Sequence, residues 1–325
     1  MKKGFILITG LLIAFVSWLA YFFIANEAPI IKGKLDYNIE YKEGLFLDVY
    51  QPTTVVYEKT PVVIYVHGGA WIGGSKMTVN NNRFNKAFNT LREQGYAIVS
   101  PDYTVADEFK SPFPACITDV EDAIAWIKLN AETYNFDLDN LGIFGESAGG
   151  HIAMMIAFPD TAYYALDYQD TPFNYVIDVY GPTDLEGIYK SELADSLDKI
   201  VQELPAPIAS NLNIAPRIFG FDPKTDTIRA QGVMRTYSPI HFLGRKIPPV
   251  LIIHGNEDQV VPLSQSLLLK KHLDSLNIPS EMHILDKVNH GFIGANEAQM
   301  AEVQTWISDF ILRHYKENQR TKTKG

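Results

Sequence analysis

Cysteine is nearly absent from this chain, which has 325 residues and a single cysteine, Cys116. One cysteine can form no disulfide within the chain and cannot build a metal site from several thiolates. Cys116 lies in the stretch FPACITDVEDAIAWI, whose apolar spacing predicts an amphipathic helix. We therefore interpret Cys116 as a small buried residue rather than a nucleophile.

An excess of positive charge is missing as well. The chain has 28 lysines and arginines against 38 aspartates and glutamates, which gives a formal net charge of −10. A nucleic-acid partner would need a basic stripe, so we expect no nucleic acid among the partners. Hydrophobic residues make up 46% of the chain, which is enough for a large core in an α/β domain of this length. The composition does not bear on the oligomeric state.

Charged residues are also lacking from Gly4 to Asn26, a run that follows Lys2 and Lys3. As a helix, Phe5 to Ala25 would span roughly the 30 Å of a bilayer core. We expect residues 1–27 to be a membrane anchor or a signal segment. A retained single-span anchor is favoured, because the run is long and FIANEAPI offers no convincing signal-peptidase site. Both interpretations put the rest of the chain outside the cytoplasm, as an anchored protein or as a secreted or periplasmic one.

Short apolar segments recur through the rest of the chain and indicate strands. LDYNIEY and LFLDVYQP predict an edge hairpin, because the second alternates apolar and polar residues before a proline. Later runs are continuous, which is typical of strands covered on both faces in a parallel sheet. These runs are PVVIYVHGG, YAIVSPDY, LGIFGES, YVIDVYGP, PVLIIHGNED and SEMHILD.

Helical patterns separate these runs. One predicted apolar face holds Val120, Ile124 and Ile127, and AEVQTWISDFILRHY predicts a helix near the end of the chain. A second apolar face holds Leu268, Leu269, Leu273 and Leu276. The alternation of strand and helix predicts an α/β fold with a mostly parallel, doubly wound sheet.

Two segments depart from that alternation. Residues 185–237 are long for a connection between strands, so we predict an inserted helical cap, with an ordinary longer crossover as the alternative. Residues 316–325 are polar and basic, and we expect a flexible tail. The main domain is then assigned to residues 35–315.

The segment Gly145-Glu146-Ser147-Ala148-Gly149 matches the pattern G-x-S-x-G between a predicted strand and a predicted helix. In such an elbow the serine occupies a sharp turn and the glycines remove Cβ atoms that would collide there. The following helix directs its amide groups toward the serine. We predict that Ser147 is a nucleophile.

A serine nucleophile needs a base and an acid that orients the base. Of the eight histidines, His290 follows the last predicted strand in a loop, where an imidazole can reach the serine. Asp258 follows the strand VLIIHGNE and is the favoured acid, with Glu257 and Asp184 as alternatives. The order Ser147, Asp258, His290 is that of α/β-hydrolases, but Asp184 would preserve it too.

A further glycine-rich segment, VHGGAWIGG, follows the strand that ends at Val66. Acyl transfer creates an oxyanion, and backbone N–H groups in a loop of small residues can hold it. The segment is therefore a candidate oxyanion loop.

Together these segments resemble the α/β-hydrolase esterases of the hormone-sensitive-lipase and carboxylesterase type, and most of all the bacterial branch with kynurenine-formamidase-like and carbohydrate-ester hydrolases. His67–Trp71 is similar to the H-G-G-x-W loop of that family, and Gly145–His151 to its elbow G-x-S-A-G-G-H. The resemblance implies that the amides of Gly69, Ala70 and Ala148 are the oxyanion donors and that Gly68 shapes the loop. One departure is Asp102-Tyr103-Thr104, where relatives often carry D-Y-R. The missing arginine puts a supporting ion pair in doubt.

The resemblance implies a serine esterase that needs no metal and no cofactor. We expect short-acyl carboxylic esters as substrates, including acetyl or feruloyl esters of carbohydrates. One alternative is a serine peptidase or amidase of the prolyl-oligopeptidase or formamidase type. The other is a non-catalytic, membrane-anchored binding protein built on a hydrolase scaffold.

Overall fold

The structure, a computed structural model, describes residues 33–80, 84–108, 110–158, 172–190, 214–244 and 247–316. Its centre is an eight-stranded sheet with the strand order β1-β2-β4-β3-β5-β6-β7-β8. The strands are β1 (Leu35–Lys42), β2 (Leu45–Tyr50), β3 (Thr60–Val66), β4 (Ala97–Pro101), β5 (Phe136–Glu146), β6 (Val176–Val179), β7 (Val250–Gly255) and β8 (Ser280–Leu285).

The sheet is parallel except at one side. β1 pairs antiparallel with β2, and β2 pairs antiparallel with β4, whereas the pairs from β4 through β8 are all parallel. This confirms the predicted mostly parallel sheet and the predicted hairpin at its edge.

Helices lie on both faces of the sheet. They are α1 (Asn85–Glu93), α2 (Ala115–Leu129), α3 (Ala131–Tyr134), α4 (Ala148–Ala157), α5 (Leu185–Tyr189), α6 (Ala215–Phe219), α7 (Thr227–Thr236), α8 (Ser264–Ser275) and α9 (Glu297–Arg313). Short 3₁₀ turns cover Lys76–Val79, Pro239–Phe242 and His290–Phe292.

Two apolar cores explain why the central strands are apolar without alternation. In β3, Val62 and Ile64 join the core formed with α2, α4 and α8, while Val63 and Tyr65 join the core formed with α1 and α9. Successive side chains of a strand point to opposite faces, so both faces must be apolar where both are covered. Cys116 is buried in the first of these cores, as predicted.

Two details differ from the sequence prediction. β8 is an edge strand and is not covered on both faces, so that Ile284 is 46% exposed. In α8, Leu269 and Leu273 are buried, but Leu276 follows the last turn of the helix and is 39% exposed. An apolar run gives no information about which strand ends at the border of the sheet.

The predicted cap, residues 185–237, is described in part, and those parts contain α5, α6 and α7. Its residues 191–213 lie outside the described residues, as do the predicted anchor, residues 1–27, and all of the predicted tail beyond residue 316. Within the described ranges, no helix has both the length and the apolar character that a bilayer crossing requires.

The chain enters and leaves the described fold at the amino edge of the parallel strands. Leu35 pairs with Tyr50, which in turn pairs with Ile98 near the start of β4. At the other end, the Lys316 amide donates to Asn140 Oδ1 at 2.7 Å, and the next residue of β5, Leu141, pairs with Val62 in the first half of β3. The opposite, carboxyl edge carries the segments that follow β3, β5, β7 and β8.

Candidate active site

Ser147 occupies a strained turn between β5 and α4. Its backbone has φ 51° and ψ −121°, a left-handed conformation that a residue with a side chain rarely adopts. The turn requires its glycines, since a Cβ at Gly145 would lie 2.0 Å from the Gly149 carbonyl oxygen. A Cβ at Gly149 would lie 2.0 Å from the Val66 carbonyl oxygen. The tight packing holds the serine hydroxyl at the carboxyl edge of the sheet.

His290 approaches this hydroxyl from the loop after β8. The distance from His290 Nε2 to Ser147 Oγ is 3.0 Å, which is within hydrogen-bond reach. Asn289 orders this loop, because its side-chain oxygen accepts from the His290 amide at 2.6 Å and from the Gln259 amide at 2.8 Å. Asn289 thus joins the loop after β8 to the loop after β7, a role that sequence reasoning missed.

Asp258 completes a row of hydrogen-bonded side chains. Its Oδ2 lies 2.7 Å from His290 Nδ1, and its Oδ1 accepts from the Val260 and Val261 amides at 2.8 Å each. Burial acts to raise the pKa of Asp258, but hydrogen bonds from His254 and His290 outweigh it and hold the pKa below its ordinary value. The carboxylate therefore stays ionised at neutral pH.

The two alternative acids occupy other environments. Glu257 is exposed to solvent. Asp184 is the N-cap of α5, where its side chain accepts from the Glu186 amide at 3.1 Å. Among the carboxylates of the described residues, Asp258 is the one that accepts the hydrogen bond from His290 Nδ1.

The glycine-rich segment after β3 forms a loop against the serine turn. Gly69, Ala70 and Trp71 all have positive φ, and the Ile72 and Gly73 amides both donate to the Gly69 carbonyl, at 3.0 and 3.1 Å. These contacts fold the loop into a tight turn.

The loop packs closely on the serine turn, and three amides there stay unpaired. A Cβ at Gly68 would lie 3.1 Å from the Glu146 carbonyl oxygen and 3.4 Å from Ser147 Cβ. Within the part of the chain that the structure describes, the amides of Gly69, Ala70 and Ala148 donate to no acceptor. They are free to donate to a negatively charged oxygen.

His67 anchors the base of the loop. Its ring is buried and stacks on Tyr103 with 4.1 Å between ring centroids, and the Tyr103 hydroxyl donates to the His67 carbonyl at 2.8 Å. Burial lowers the pKa of His67, which favours the neutral ring. The ring nitrogen Nδ1 lies 2.8 Å from the Gly68 carbonyl oxygen.

A lysine supports the segment Asp102-Tyr103-Thr104, in which relatives often carry an arginine at the third position. Lys42 of β1 lies 2.7 Å from the Asp119 carboxylate, and the other Asp119 oxygen accepts from the Thr104 amide at 2.8 Å. An ion pair is therefore present beside Thr104 although residue 104 supplies no charge.

Two further histidines approach this region. His254, interpreted from the sequence as structural, has its Nε2 3.3 Å from Asp258 Oδ2 and its Nδ1 2.7 Å from Ser266 Oγ. In the sequence, the signal for this contact is that His254 lies four residues before Asp258. His151, expected to pack, is fully buried and its Nε2 lies 2.6 Å from the Tyr237 carbonyl oxygen.

No group of three or more histidine, cysteine, aspartate or glutamate side chains in the described ranges could hold a metal ion.

The chain is similar in sequence to a known family and to known esterases. The model of the family BD-FAE matches residues 47–273. Esterase LipC of Mycobacterium tuberculosis is 29% identical over 254 residues, 76% of this chain and 56% of LipC. Esterase LipQ of the same organism is 28% identical over 82% of this chain and 58% of LipQ. The chain thus spans less than two thirds of the length of these relatives.

Solved structures share the fold. A truncated carbohydrate esterase from gut microbiota superposes with a TM-score of 0.65 at 22% identity, covering 88% of this chain and 99% of that one. An arylesterase superposes with a TM-score of 0.62 at 20% identity, covering 88% of this chain and 86% of that one. At such identities the likeness is one of architecture.

Proposed function

The chain belongs to the BD-FAE family of α/β-hydrolase esterases, and from that membership we propose that it hydrolyses carboxylic esters through an acyl-enzyme formed on Ser147. The observation that carries the proposal is the row Ser147, His290 and Asp258, with 3.0 and 2.7 Å between successive polar atoms. Such a row supplies a nucleophile, a base and an ionised orienter.

In the proposed reaction, Ser147 Oγ attacks the ester carbonyl carbon as His290 Nε2 takes the hydroxyl proton. The carbonyl oxygen becomes an oxyanion, which accepts hydrogen bonds from the Gly69, Ala70 and Ala148 amides. The imidazolium, stabilised by Asp258, then protonates the leaving alcohol. Water then gives a proton to His290 and attacks the acyl carbonyl carbon. As the bond from that carbon to Ser147 Oγ breaks, His290 returns the proton to Ser147 Oγ and the acid is released.

Two features support this mechanism over the rival classes. A non-catalytic scaffold would have no need to keep the strained Ser147 backbone, which costs on the order of 1–3 kcal/mol. Among the described residues, the unpaired amide of Ala148 supports oxyanion binding, because Ala148 is buried and unpaired buried N–H groups are otherwise rare. Amide substrates would use the same groups, so the ester preference rests on the family.

The decisive experiment compares the full chain with its Ser147→Ala variant. We expect the wild type to hydrolyse p-nitrophenyl acetate and to react with a fluorophosphonate probe, and the variant to lose both by at least about a thousandfold. A Ser147→Thr variant is a matched control that keeps a hydroxyl but crowds the turn. Hydrolysis by Ser147→Ala at a near wild-type rate would remove Ser147 from the mechanism.

For the substrate we propose short-acyl esters, with acetyl and feruloyl esters of carbohydrates as the first to be compared. The structural neighbour that is a carbohydrate esterase supports this choice. A panel of acetyl sugars, feruloyl sugars, longer-chain esters and anilides separates esterase from amidase activity and ranks the acyl groups. Faster turnover of the anilides would favour the amidase alternative.

We further propose that residues 1–27 anchor the protein in a membrane, with the catalytic region outside the cytoplasm. The support is the run without charge from Gly4 to Asn26 behind two lysines. The fluorophosphonate label can be followed through cell fractionation, and we expect it in the membrane fraction. A label released into the medium or the periplasm would indicate cleavage instead.

A further inference from the structure

Glu146, the residue before Ser147, joins three neighbouring strands at the carboxyl edge of the sheet. Its Oε1 accepts from the Tyr65 hydroxyl of β3 and its Oε2 from the Tyr180 hydroxyl, which follows β6, at 2.7 Å each. All three side chains are buried. Two hydroxyl donors, one on each oxygen, fix the carboxylate in both direction and rotation.

The tyrosine on one side of Glu146 lies against His290. The ring centroids of Tyr180 and His290 are 4.6 Å apart, and Tyr180 also packs edge-on against Phe292 at 5.0 Å. The Tyr180 backbone has a positive φ of 44°, and its amide donates to the Ile253 carbonyl at 2.9 Å. Backbone and hydroxyl therefore hold this ring from opposite ends, and the hydroxyl end depends on Glu146.

Glu146 also contacts the glycine-rich loop. A Cβ at Gly68 would lie 3.3 Å from Glu146 Cγ and 3.1 Å from its carbonyl oxygen. The buried Glu146 carboxylate thus belongs to the residue before Ser147 and lies close to Gly68 of the glycine-rich loop. The Tyr180 ring lies between this carboxylate and the His290 imidazole.

We propose that Glu146 is a positioning residue for the hydrolysis proposed above, on which this inference rests. Through Tyr180 it holds the His290 ring in line between Ser147 and Asp258. Its buried negative charge also favours the imidazolium that forms when His290 takes the serine proton, since charges interact more strongly away from water. Glu146 acts through these neighbours.

The test uses two near-isosteric variants of the full chain. Glu146→Gln keeps the volume but removes the charge and replaces one acceptor oxygen by an NH₂ donor, so that one tyrosine hydroxyl can no longer donate to residue 146. Tyr180→Phe keeps the ring but removes the hydroxyl that donates to Glu146 Oε2. Because sub-ångström placement of a base affects rate strongly, we expect kcat to fall about tenfold or more in both variants, with KM within about twofold.

A pH profile separates positioning from a general loss of structure. In Glu146→Gln we expect the acid limb of kcat/KM to move to lower pH, because the imidazolium has lost a stabilising charge. Tyr50→Phe is the matched control, since it removes the buried hydroxyl that accepts from Asn80 Nδ2 at 2.8 Å, away from the site. We expect this control to keep the wild-type kcat and acid limb.

Two different failures are distinguishable. If Glu146→Gln and Tyr180→Phe keep kcat and the acid limb of the wild type while Ser147→Ala is inactive, the positioning role is wrong and the esterase mechanism stands. If the wild type neither hydrolyses esters nor reacts with a fluorophosphonate, the mechanism itself is wrong and the positioning role is overturned with it.

Discussion

At the scale of single residues, Asp258 lies between two imidazoles. His290 Nδ1 is 2.7 Å from its Oδ2 and His254 Nε2 is 3.3 Å from the same oxygen. The carboxylate side chain is fully enclosed, so its charge is compensated by these two rings and by backbone amides. Such a carboxylate can hold the His290 ring in one tautomer and stabilise its charged form.

Asp258→Asn should therefore abolish most activity without unfolding the protein. An amide cannot stabilise the imidazolium and can present an N–H group to His290 Nδ1, so we expect kcat to fall by about a thousandfold or more. Glu257→Gln is the control, because it removes a charge one residue away on an exposed side chain. Steady-state kinetics with one chromogenic ester measures both. Equal losses in the two variants would contradict the assignment of the acid.

Sequence reasoning reached different depths for different residues. It named Ser147 because the elbow pattern is local and sterically demanding. It favoured Asp258 over Glu257 and Asp184 by its position at the end of a predicted strand. Chain order is the same for all three, and the choice depends on how the turn after β7 directs its side chains. The partners of Glu146 come from β3 and from the segment after β6, a convergence that no local pattern contains.

At the scale of elements, His151 connects α4, the helix that follows Ser147, to the end of the predicted cap. Its Nε2 lies 2.6 Å from the Tyr237 carbonyl, just after α7, and its ring packs against Trp71 and Phe113 at 5.1 and 5.6 Å. Burial lowers the pKa of His151 to about 4, so the ring is neutral at neutral pH and Nε2 carries the donated hydrogen. The contact is a direct link between α4 and the residue that follows α7.

Replacing His151 by phenylalanine should loosen this link. His151→Phe keeps an aromatic ring but removes the hydrogen bond to the Tyr237 carbonyl, and we expect a loss of about 1–3 kcal/mol in the free energy of unfolding and a raised KM. Tyr237→Phe is the control, because the accepting group is a backbone carbonyl that survives the substitution. Urea unfolding and steady-state kinetics give the two quantities. A raised KM in both variants would point away from the hydrogen bond.

The elements themselves were largely predictable. Continuous apolar runs identified the parallel strands, and helical spacing identified α2, α8 and α9, because both patterns follow from burial of one or two faces. SEMHILD was correctly predicted to be a strand, but cover on both of its faces was wrong, since position within a sheet depends on contacts between distant segments. The predicted apolar face of α8 was wrong for Leu276, which lies after the last turn of the helix. The three described helices of residues 185–237 agree with a helical insertion, while its role as a cap stays a prediction.

At the scale of the whole molecule, one buried acid affects stability. Asp178 of β6 is fully buried, and its Oδ1 accepts from the Gly181 amide at 2.9 Å, while Oδ2 has no partner among the described residues. Burial raises the pKa of Asp178 to about 8. An acid whose pKa is raised in the folded state contributes stability at low pH that is lost as pH rises through the folded value.

The free energy of unfolding of the wild type should therefore decline relative to that of Asp178→Asn as pH rises from about 4 to 8. The asparagine keeps an oxygen for the Gly181 amide and does not titrate. We expect the difference between the two proteins to change by more than about 1 kcal/mol over this interval. Urea unfolding at a series of pH values measures it. A difference that is constant with pH would mean that Asp178 does not bind its proton as described.

The two ends of the described chain, near Leu35 and Lys316, lie at the amino edge of the sheet, and Ser147 lies at the carboxyl edge. A strand of six or seven residues separates these edges by roughly 20 Å. A bead, a sensor chip or a fusion partner attached beside Leu35 or Lys316 would therefore lie on the opposite edge of the sheet from Ser147. For the proposed ester hydrolysis, such a one-sided attachment would leave the Ser147 edge open to bulky or insoluble material.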